Sequence, residues 1–270
     1  MGFNAPPPDL RIVQVSSLHA HEEHDNQRSE PLMQRLQQSE YFLNPPIVAP
    51  ISSGQYVILD GANRCFSFAR LGYPHILVQV VSYDSGLIQL DTWQHIVGSW
   101  KLKAFIEAIR ALNLVEVEWR QMAGALCHIL FKDGRVMSLR APVETVHERN
   151  AVLRSFVSIY QQNASLHRTA IVEPSEIWPL FPNAFALVVF PPYQPSDIIA
   201  AAKHDAYLPP GISRHIIQGR ALMVNYPMDA LRDPVVELEQ KNRVLSDWIK
   251  RKLENRQVRY YSESTYQFSE

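Results

Sequence analysis

Cysteine is scarce: there are two, Cys65 and Cys127, in a chain of 270 residues. They stand far apart and neither belongs to a Cys-x-x-Cys pair. That argues against a disulfide scaffold and a cysteine-rich zinc site, and a reducing cytoplasm is the expected compartment. An excess of either charge is also missing. The formal net charge is −1, so no overall basic field argues for nucleic acid. No apolar run approaches the ~20 residues of a membrane span, and residues 1–10 lack the charged start and apolar core of a secretory signal. Glycine is modest at 10 residues against 19 prolines, which favours short, stiff connections over flexible linkers. There is no internal repeat. There is no Gly-x-x-x-x-Gly-Lys-Ser/Thr loop, which excludes a P-loop enzyme. What is present is a globular composition, 46% hydrophobic and 20% charged, enough for one large or two small domains.

The most organised stretch runs from Gln55 to Gly72. Tyr56-Val57-Ile58-Leu59 has the length and β-branched character of a buried strand. Asp60-Gly61 breaks it. Cys65, Phe66, Phe68, Ala69 and Leu71 then recur at helical spacing until Gly72 and Pro74 stop the helix. The N-terminus of such a helix offers backbone N–H groups and a positive dipole end, and Arg64 adds a full charge in its first turn. The turn has two readings: plain scaffold with a surface arginine, or a seat for an anion such as a phosphate.

Around this stretch the chain alternates strands and helices. Residues 1–9, with Pro6-Pro7-Pro8, read as a poorly ordered arm, and residues 10–15 as a first strand. Ser29-Glu30-Pro31 has the form of a helix start, with Ser29 as cap. Residues 47–51 and 56–59 form a β-hairpin pattern, and residues 76–81 another buried strand. Further on, helices are expected at 100–112, 143–160 and 195–202, the second with Val146, Leu153, Phe156 and Val157 as its core face. Strands are expected at 115–119, 184–190 and 222–226, and a hairpin closes at Lys132-Asp133-Gly134-Arg135. Leu90 to Val97 is expected to be a strand or loop, with Trp93 either in the core or on the wall of a cleft. A last helix is expected from Asp233-Pro234 to about Asn255, with Lys, Arg and Glu on a solvated face. Residues 257–270 read as a loosely ordered tail.

Three polar clusters carry the chemistry. Ser16 to His24 is rich in histidine, but His21-Glu22-Glu23-His24 is one residue short of the His-Glu-x-x-His spacing. It does not place both imidazoles on one helix face, so a solvated loop is expected rather than a metal site. The second cluster is Asp60-Gly61-Ala62-Asn63-Arg64, and the third is Ser213-Arg214-His215 after a Pro-Pro-Gly turn. Phosphoryl transfer needs the migrating group held by amides and cations, a carboxylate to take the hydroxyl proton, and usually Mg²⁺. Backbone amides of residues 61–64 with the Arg64 guanidinium could hold a phosphate. Glu22 could be the base. Asp60 could position Mg²⁺ or a ribose hydroxyl, although a turn-initiating Asp is the commoner role.

Asn44-Pro45-Pro46-Ile47-Val48, Val57 to Arg64, Ala69-Arg70-Leu71-Gly72 and Val78-Gln79-Val80 together resemble the ParB/sulfiredoxin superfamily. Cys65 falls after Arg64, whereas sulfiredoxins place their reactive cysteine before a His-Arg pair. The Gly-Glu-Arg-Arg box and helix-turn-helix of DNA-partitioning ParB proteins are not evident. Asp60-Gly61-Ala62-Asn63-Arg64, His21-Glu22, Thr92-Trp93-Gln94-His95 and Ser213-Arg214-His215 resemble, in order, the motifs of the superfamily's free serine kinases. That group includes an archaeal ADP-dependent branch and a branch in siderophore biosynthesis. The resemblance covers about residues 10–230 and rests on several short motifs. It implies a nucleotide-binding loop at Asp60, Gly61, Ala62, Asn63 and Arg64, Glu22 as catalytic base, and a serine pocket between the domains using Trp93, His95, Ser213, Arg214 and His215. Arg214 would act through the amino acid's carboxylate. The implied activity is phosphorylation of free L-serine to O-phospho-L-serine with ATP or ADP and Mg²⁺. Two positions depart from the family: Asn63 replaces a histidine, exchanging a ring N–H for an amide N–H, and Ser213 replaces a threonine, keeping the hydroxyl. Glu23 is a rival to Glu22 by one residue of register.

The expected architecture is α+β. A ParB/sulfiredoxin-like nucleotide-binding domain spans residues 1–90, a second α+β substrate-binding domain residues 91–255, and a tail residues 256–270. The expected partners are a nucleotide and a small-molecule substrate, with no membrane. A non-catalytic nucleotide-binding regulator of the same fold is the alternative, and a DNA-associated ParB relative a weaker one.

Overall fold

Apolar runs of strand length, broken by turn residues, set the order of elements in the structure, a computed structural model that describes residues 6–24, 26–118 and 124–261. The first part of the chain forms β1 (Asp9–Gln14), β2 (Leu18–Ala20), α1 (Asn26–Gln38), β3 (Tyr41–Phe42), β4 (Ile47–Ser52), β5 (Gln55–Asp60), α2 (Ala62–Arg70), β6 (His75–Val80) and β7 (Ile88–Thr92). Next come β8 (Gln94–Gly98), α3 (Leu102–Arg110), β9 (Val115–Val117), β10 (Cys127–Phe131), β11 (Val136–Arg140), α4 (Val146–Asn163), β12 (Ser165–Thr169), α5 (Pro174–Leu180), β13 (Ala184–Val189) and α6 (Pro195–Lys203). The chain continues through β14 (Ser213–Ile217), β15 (Tyr226–Pro227), α7 (Met228–Arg232) and α8 (Leu238–Glu254). Among the described residues no helix is long and apolar enough to cross a membrane. The fold is α+β, as expected.

The chain divides into two compact units. One takes in Met1–His19, His24–Gln89 and Ile216–Glu270, and the other Ala20–Glu23 and Leu90–His215. This differs from the linear division expected at residues 90 and 255, because α8 stands with the first unit. The reason is local to that unit. Asn242 on α8 accepts a hydrogen bond from Ile12 N at 2.9 Å and donates to Ile12 O at 2.8 Å, which ties α8 to β1. Leu245 is buried at 1% exposure.

The first unit is built on a five-stranded sheet in the order β1-β6-β4-β5-β2. β1 runs antiparallel to β6, β4 antiparallel to β5, and β4 parallel to β6. The expected hairpin is therefore β4–β5. Ser53 and Gly54 close it, with Gly54 at φ +70°, a conformation glycine adopts without a Cβ clash. Phe68 on α2 is fully buried beside Phe42 and Tyr73. The second unit holds a six-stranded sheet, β12-β8-β13-β10-β11-β9, antiparallel at every pair. Asp133 and Gly134 turn the β10–β11 hairpin, Gly134 at φ +87°. Ile96, Ile177, Ala184 and Leu187 form one of its core clusters.

Several local expectations change. α1 begins at Asn26, so Pro31 lies inside the helix, and the Ser29 hydroxyl turns to the Asn63 side-chain oxygen at 3.2 Å rather than capping. α4 begins at Val146 because Thr145 and Glu148 form a capping box. Leu153, Phe156 and Val157 are core, but Val146 is exposed at that first turn. The strand expected at 222–226 is reduced to Tyr226–Pro227. Met223 and Asn225 adopt φ of +51° and +55°, which no regular strand accommodates. The last helix starts at Leu238, not Asp233, and its Lys241 is not solvated: it is buried, with Nζ 3.0 Å from His75 Nδ1. Burial lowers Lys241 below its ordinary pKa, and Asp233 opposes that shift. Of the strand expected at 115–119, Trp119 lies outside the described residues, as do residues 1–5 of the expected arm and residues 262–270 of the expected tail.

Leu245→Ala is expected to cost about 2–5 kcal/mol through the cavity it leaves. Because α8 packs on β1, hydrogen exchange should accelerate at β1 amides while β10 and β13 keep their protection. Equal acceleration in both sheets would contradict the assignment of α8 to the first unit.

Candidate active site

The residues singled out for chemistry fall into two groups, one in each unit. In the first unit β5 ends at Asp60 and α2 starts at Ala62, with Gly61 between them at φ +89°. Glycine suits this point for its backbone, and a side chain would press on Arg64 as it lies. The backbone is left-handed, and a Cβ would lie 2.8 Å from Arg64 Nη2, 2.9 Å from Arg64 Nε and 3.0 Å from Pro46 Cβ. Gly61 caps the helix without a side chain, so no capping group occupies the first-turn amides next to Arg64. Arg64 bends back to Asp60, Nη2 to Oδ2, at 2.9 Å. Its Nε is buried with no hydrogen-bond partner. The Asn63 side-chain oxygen accepts from the Ser29 hydroxyl, and the Asn63 carbonyl accepts from Ser67 Oγ at 2.8 Å. Cys65 is buried directly behind this turn, and burial pushes its thiol up to about 12. That is an inert thiol, in keeping with the departure from the sulfiredoxin pattern.

A further residue of this group lies far away in sequence. Arg220 donates from Nη2 to the same Asp60 Oδ2 at 2.5 Å. The turn that carries it is held by Gln79, a buried residue of β6 whose Nε2 donates to Gly219 O at 3.0 Å and whose Oε1 accepts from Ala221 N at 2.8 Å. Nothing in the pattern around residues 60–64 points to Arg220. The available signal was a buried-strand glutamine, an apolar-site amide that needs partners.

In the second unit the part of the loop around His21, expected to be solvated, is packed. His21 is buried at 4% exposure, and Leu208 exchanges backbone hydrogen bonds with residues 21 and 23. This short parallel bridge aims Glu22 at the turn after Pro209-Pro210. Glu22 Oε2 accepts from Gly211 N at 2.8 Å, and Oε1 accepts from Ser213 N at 2.9 Å and from Ser213 Oγ at 2.5 Å. His21 Nε2 lies 2.8 Å from Ser213 Oγ. With the hydroxyl proton directed to Glu22, His21 Nε2 is the donor in that contact. A carboxylate oriented by two amides thus already holds an alcohol at the distance a general base requires. Glu23 is directed elsewhere, to Arg154 Nε at 3.0 Å.

Trp93 interrupts the path from β7 to β8, and its backbone N–H donates to Ile212 O at 2.8 Å. The Arg214 guanidinium carbon lies 4.4 Å from the centre of the Trp93 ring, and its Nη1 is 3.4 Å from Asp91 Oδ2. This is a cation–π stack with a carboxylate at its edge. His215 packs edge-on to His21 at 5.5 Å. His95 is different. It has 0% exposure, with its Nδ1 2.7 Å from the Tyr160 hydroxyl. Burial first, then the Arg168 charge, lowers His95 to about 3, with the Gly211 backbone opposing. It is a neutral residue beneath the turn at 211, not one on an open wall. Arg168 Nη2 donates to Pro210 O at 2.8 Å, and its guanidinium fills the space beside Gly211, where a Cβ would come within 2.1 Å.

Among the described residues no group of three or more His, Cys, Asp or Glu side chains is arranged to hold a metal. Asp60, the carboxylate of the first group, is engaged by two arginines. These residues do not fit a protein-built Mg²⁺ cage. An ion at this site would be one carried by phosphate oxygens and water.

No protein-family model matches the chain. It is 24% identical to the ATP-dependent L-serine kinase SbnI of Staphylococcus aureus over 261 residues, 95% of this chain and 96% of that protein. It is 30% identical to an ATP-dependent L-serine kinase of Desulfurococcus mucosus over 110 residues, 40% of this chain and 43% of that one. Among solved structures, C-terminally truncated SbnI from Staphylococcus aureus matches with a TM-score of 0.70 at 22% identity, over 91% of this chain and 96% of that one. A free serine kinase in complex with AMP matches with a TM-score of 0.70 at 14% identity, over 84% of this chain and 95% of that one. At these identities the structural matches speak to the fold.

Gly211→Ala combines a positive φ with a clash against Arg168. It is expected to lower stability by about 1–3 kcal/mol, read by urea unfolding. His95 gives a pH signature. Its folded pKa lies near 3 against an ordinary 6.5, so in that window the unfolded chain binds a proton that the folded chain does not. Its contribution is complete above pH 6.5 and is lost as pH falls toward 3. A His95→Gln variant should show a shallower fall in thermal midpoint across that window than the unaltered chain.

Proposed function

We propose that this chain, which belongs to the free serine kinase family, transfers the terminal phosphoryl group of ATP or ADP to the hydroxyl of free L-serine, giving O-phospho-L-serine. The observation that carries the reading is the Glu22 carboxylate, fixed by two backbone amides with a serine hydroxyl, that of Ser213, at 2.5 Å. In the reaction Glu22 takes the proton of the substrate hydroxyl. The substrate oxygen attacks the terminal phosphorus, and the bond from phosphorus to the leaving nucleotide's oxygen breaks.

Gly61, Ala62, Asn63 and Arg64 hold the nucleotide phosphates through the α2 N-terminus and the Arg64 guanidinium, while Asp60 keeps that guanidinium oriented. Any Mg²⁺ would arrive with the nucleotide and would supply charge neutralisation there, with no cage of protein carboxylates among the described residues to hold it. Arg214, stacked on Trp93, meets the carboxylate of the amino acid, a task suited to a planar fork of donors. His215 and Ser213 line the same turn. His95 supports it from beneath as a neutral positioning group. The engagement of Glu23 with Arg154 supports Glu22 as the base. The names of the sequence relatives make ATP the first donor to test.

Incubation with L-serine, Mg²⁺ and ATP or ADP should yield phosphoserine, detected by ³¹P NMR. Glu22→Gln should reduce kcat by about 10²- to 10⁴-fold while leaving the nucleotide Kd within twofold or so. Nucleotide binding without phosphoserine from either donor would overturn the kinase reading in favour of a nucleotide-binding regulator.

A further inference from the structure

We infer that Arg220 is a second phosphate-binding arginine of the nucleotide site, engaging the phosphates beyond the first. The inference deepens the kinase reading and rests on it for the identity of the anion. Arg220 and Arg64 both donate to one oxygen of Asp60, at 2.5 and 2.9 Å. Two guanidinium charges and one carboxylate leave a net charge of +1 in this group of three (+2 − 1). One carboxylate oxygen satisfies little of what two five-donor forks can give. The Arg64 Nε is already a buried donor without a partner. A di- or triphosphate offers several acceptor oxygens and more than one charge, so it competes with Asp60 for both arginines. The gain from a second arginine grows with the charge of the ligand, which is why the assignment is to the outer phosphates rather than to AMP.

The second observation is the way Arg220 is held. Gln79, at 3% exposure, bonds the peptide groups on both sides of Arg220, Gly219 O at 3.0 Å and Ala221 N at 2.8 Å. Both ends of a buried amide are thus committed to fixing the backbone around one arginine. Gln79 is a positioning residue that keeps the guanidinium pre-oriented before any ligand arrives. In the free protein Asp60 stands in for the anion, holding both arginines in place and limiting their mutual repulsion.

The test is calorimetric titration of the full chain with AMP, ADP, ATP and inorganic pyrophosphate. Arg220→Ala should weaken ATP and pyrophosphate by about tenfold or more and AMP by less than about threefold, in keeping with the strength of a charge-assisted pair. Arg220→Lys, which keeps the charge but not the fork, should recover part of the loss. Gln79→Met should shift ATP in the same direction by a smaller factor. A thermal scan of each variant shows whether the fold is kept, and the lysine variant carries the test where the alanine variant does not fold. Unchanged ATP and pyrophosphate binding in folded Arg220 variants overturns the inference. So does an equal loss for AMP and ATP, and so does a wild-type chain that binds neither ATP nor pyrophosphate. The kinase reading fails separately, as wild-type nucleotide binding without phosphoserine, and in that outcome the Arg220 effect on ATP binding still stands.

Discussion

The polar cluster of the second unit is held together by one carboxylate. Glu22 accepts two backbone N–H groups and a hydroxyl from residues 211–213. Those three bonds tie the start of the chain to a turn almost 190 residues later. Everything close to them serves that placement. The bridge to Leu208 aims the side chain, Arg168 props the Gly211 turn, and neutral His95, buried against Tyr160, lies near the Gly211 backbone. A charged His95 in that position would sit beside Arg168 in a dry interior, and burial prevents it. The result is a carboxylate of fixed direction that accepts from one hydroxyl, that of Ser213.

The first unit solves a different problem, holding positive charge ready without scattering it. Asp60 collects Arg64 and Arg220 on a single oxygen, next to the α2 N-terminus. Ion pairs that are still partly open to water add little to stability. Their use is orientation, and the buried Gln79 supports that use by gripping the backbone on both sides of Arg220. Gly61 allows the left-handed backbone of this turn at φ +89° and leaves room for the Arg64 guanidinium where it lies.

Much of this was legible in residue pattern. The β5–turn–α2 unit, both hairpins and the α3, α4 and α6 helices follow from apolar period and Asp-Gly or Ser-Gly turns, which act over a few residues. The pattern misled where a tertiary partner outweighs local preference. Ser29 looks like a cap but bonds Asn63. Lys241 looks like part of a solvated helix face but is buried with His75. Leu222 to Tyr226 looks like a strand, yet positive φ at Met223 and Asn225 breaks it.

By itself the sequence determined the α+β class, the strand–turn–helix around residues 60–64, and the set of polar motifs that resembles the free serine kinases. These are local properties of composition, spacing and turn chemistry. Only the tertiary structure decided that His21 is buried, that Glu22 rather than Glu23 faces Ser213, that His95 lies beneath the turn, and that Arg220 joins Asp60. Each depends on hydrogen bonds between residues dozens to hundreds of positions apart, and no spacing rule along the chain encodes a contact of that kind.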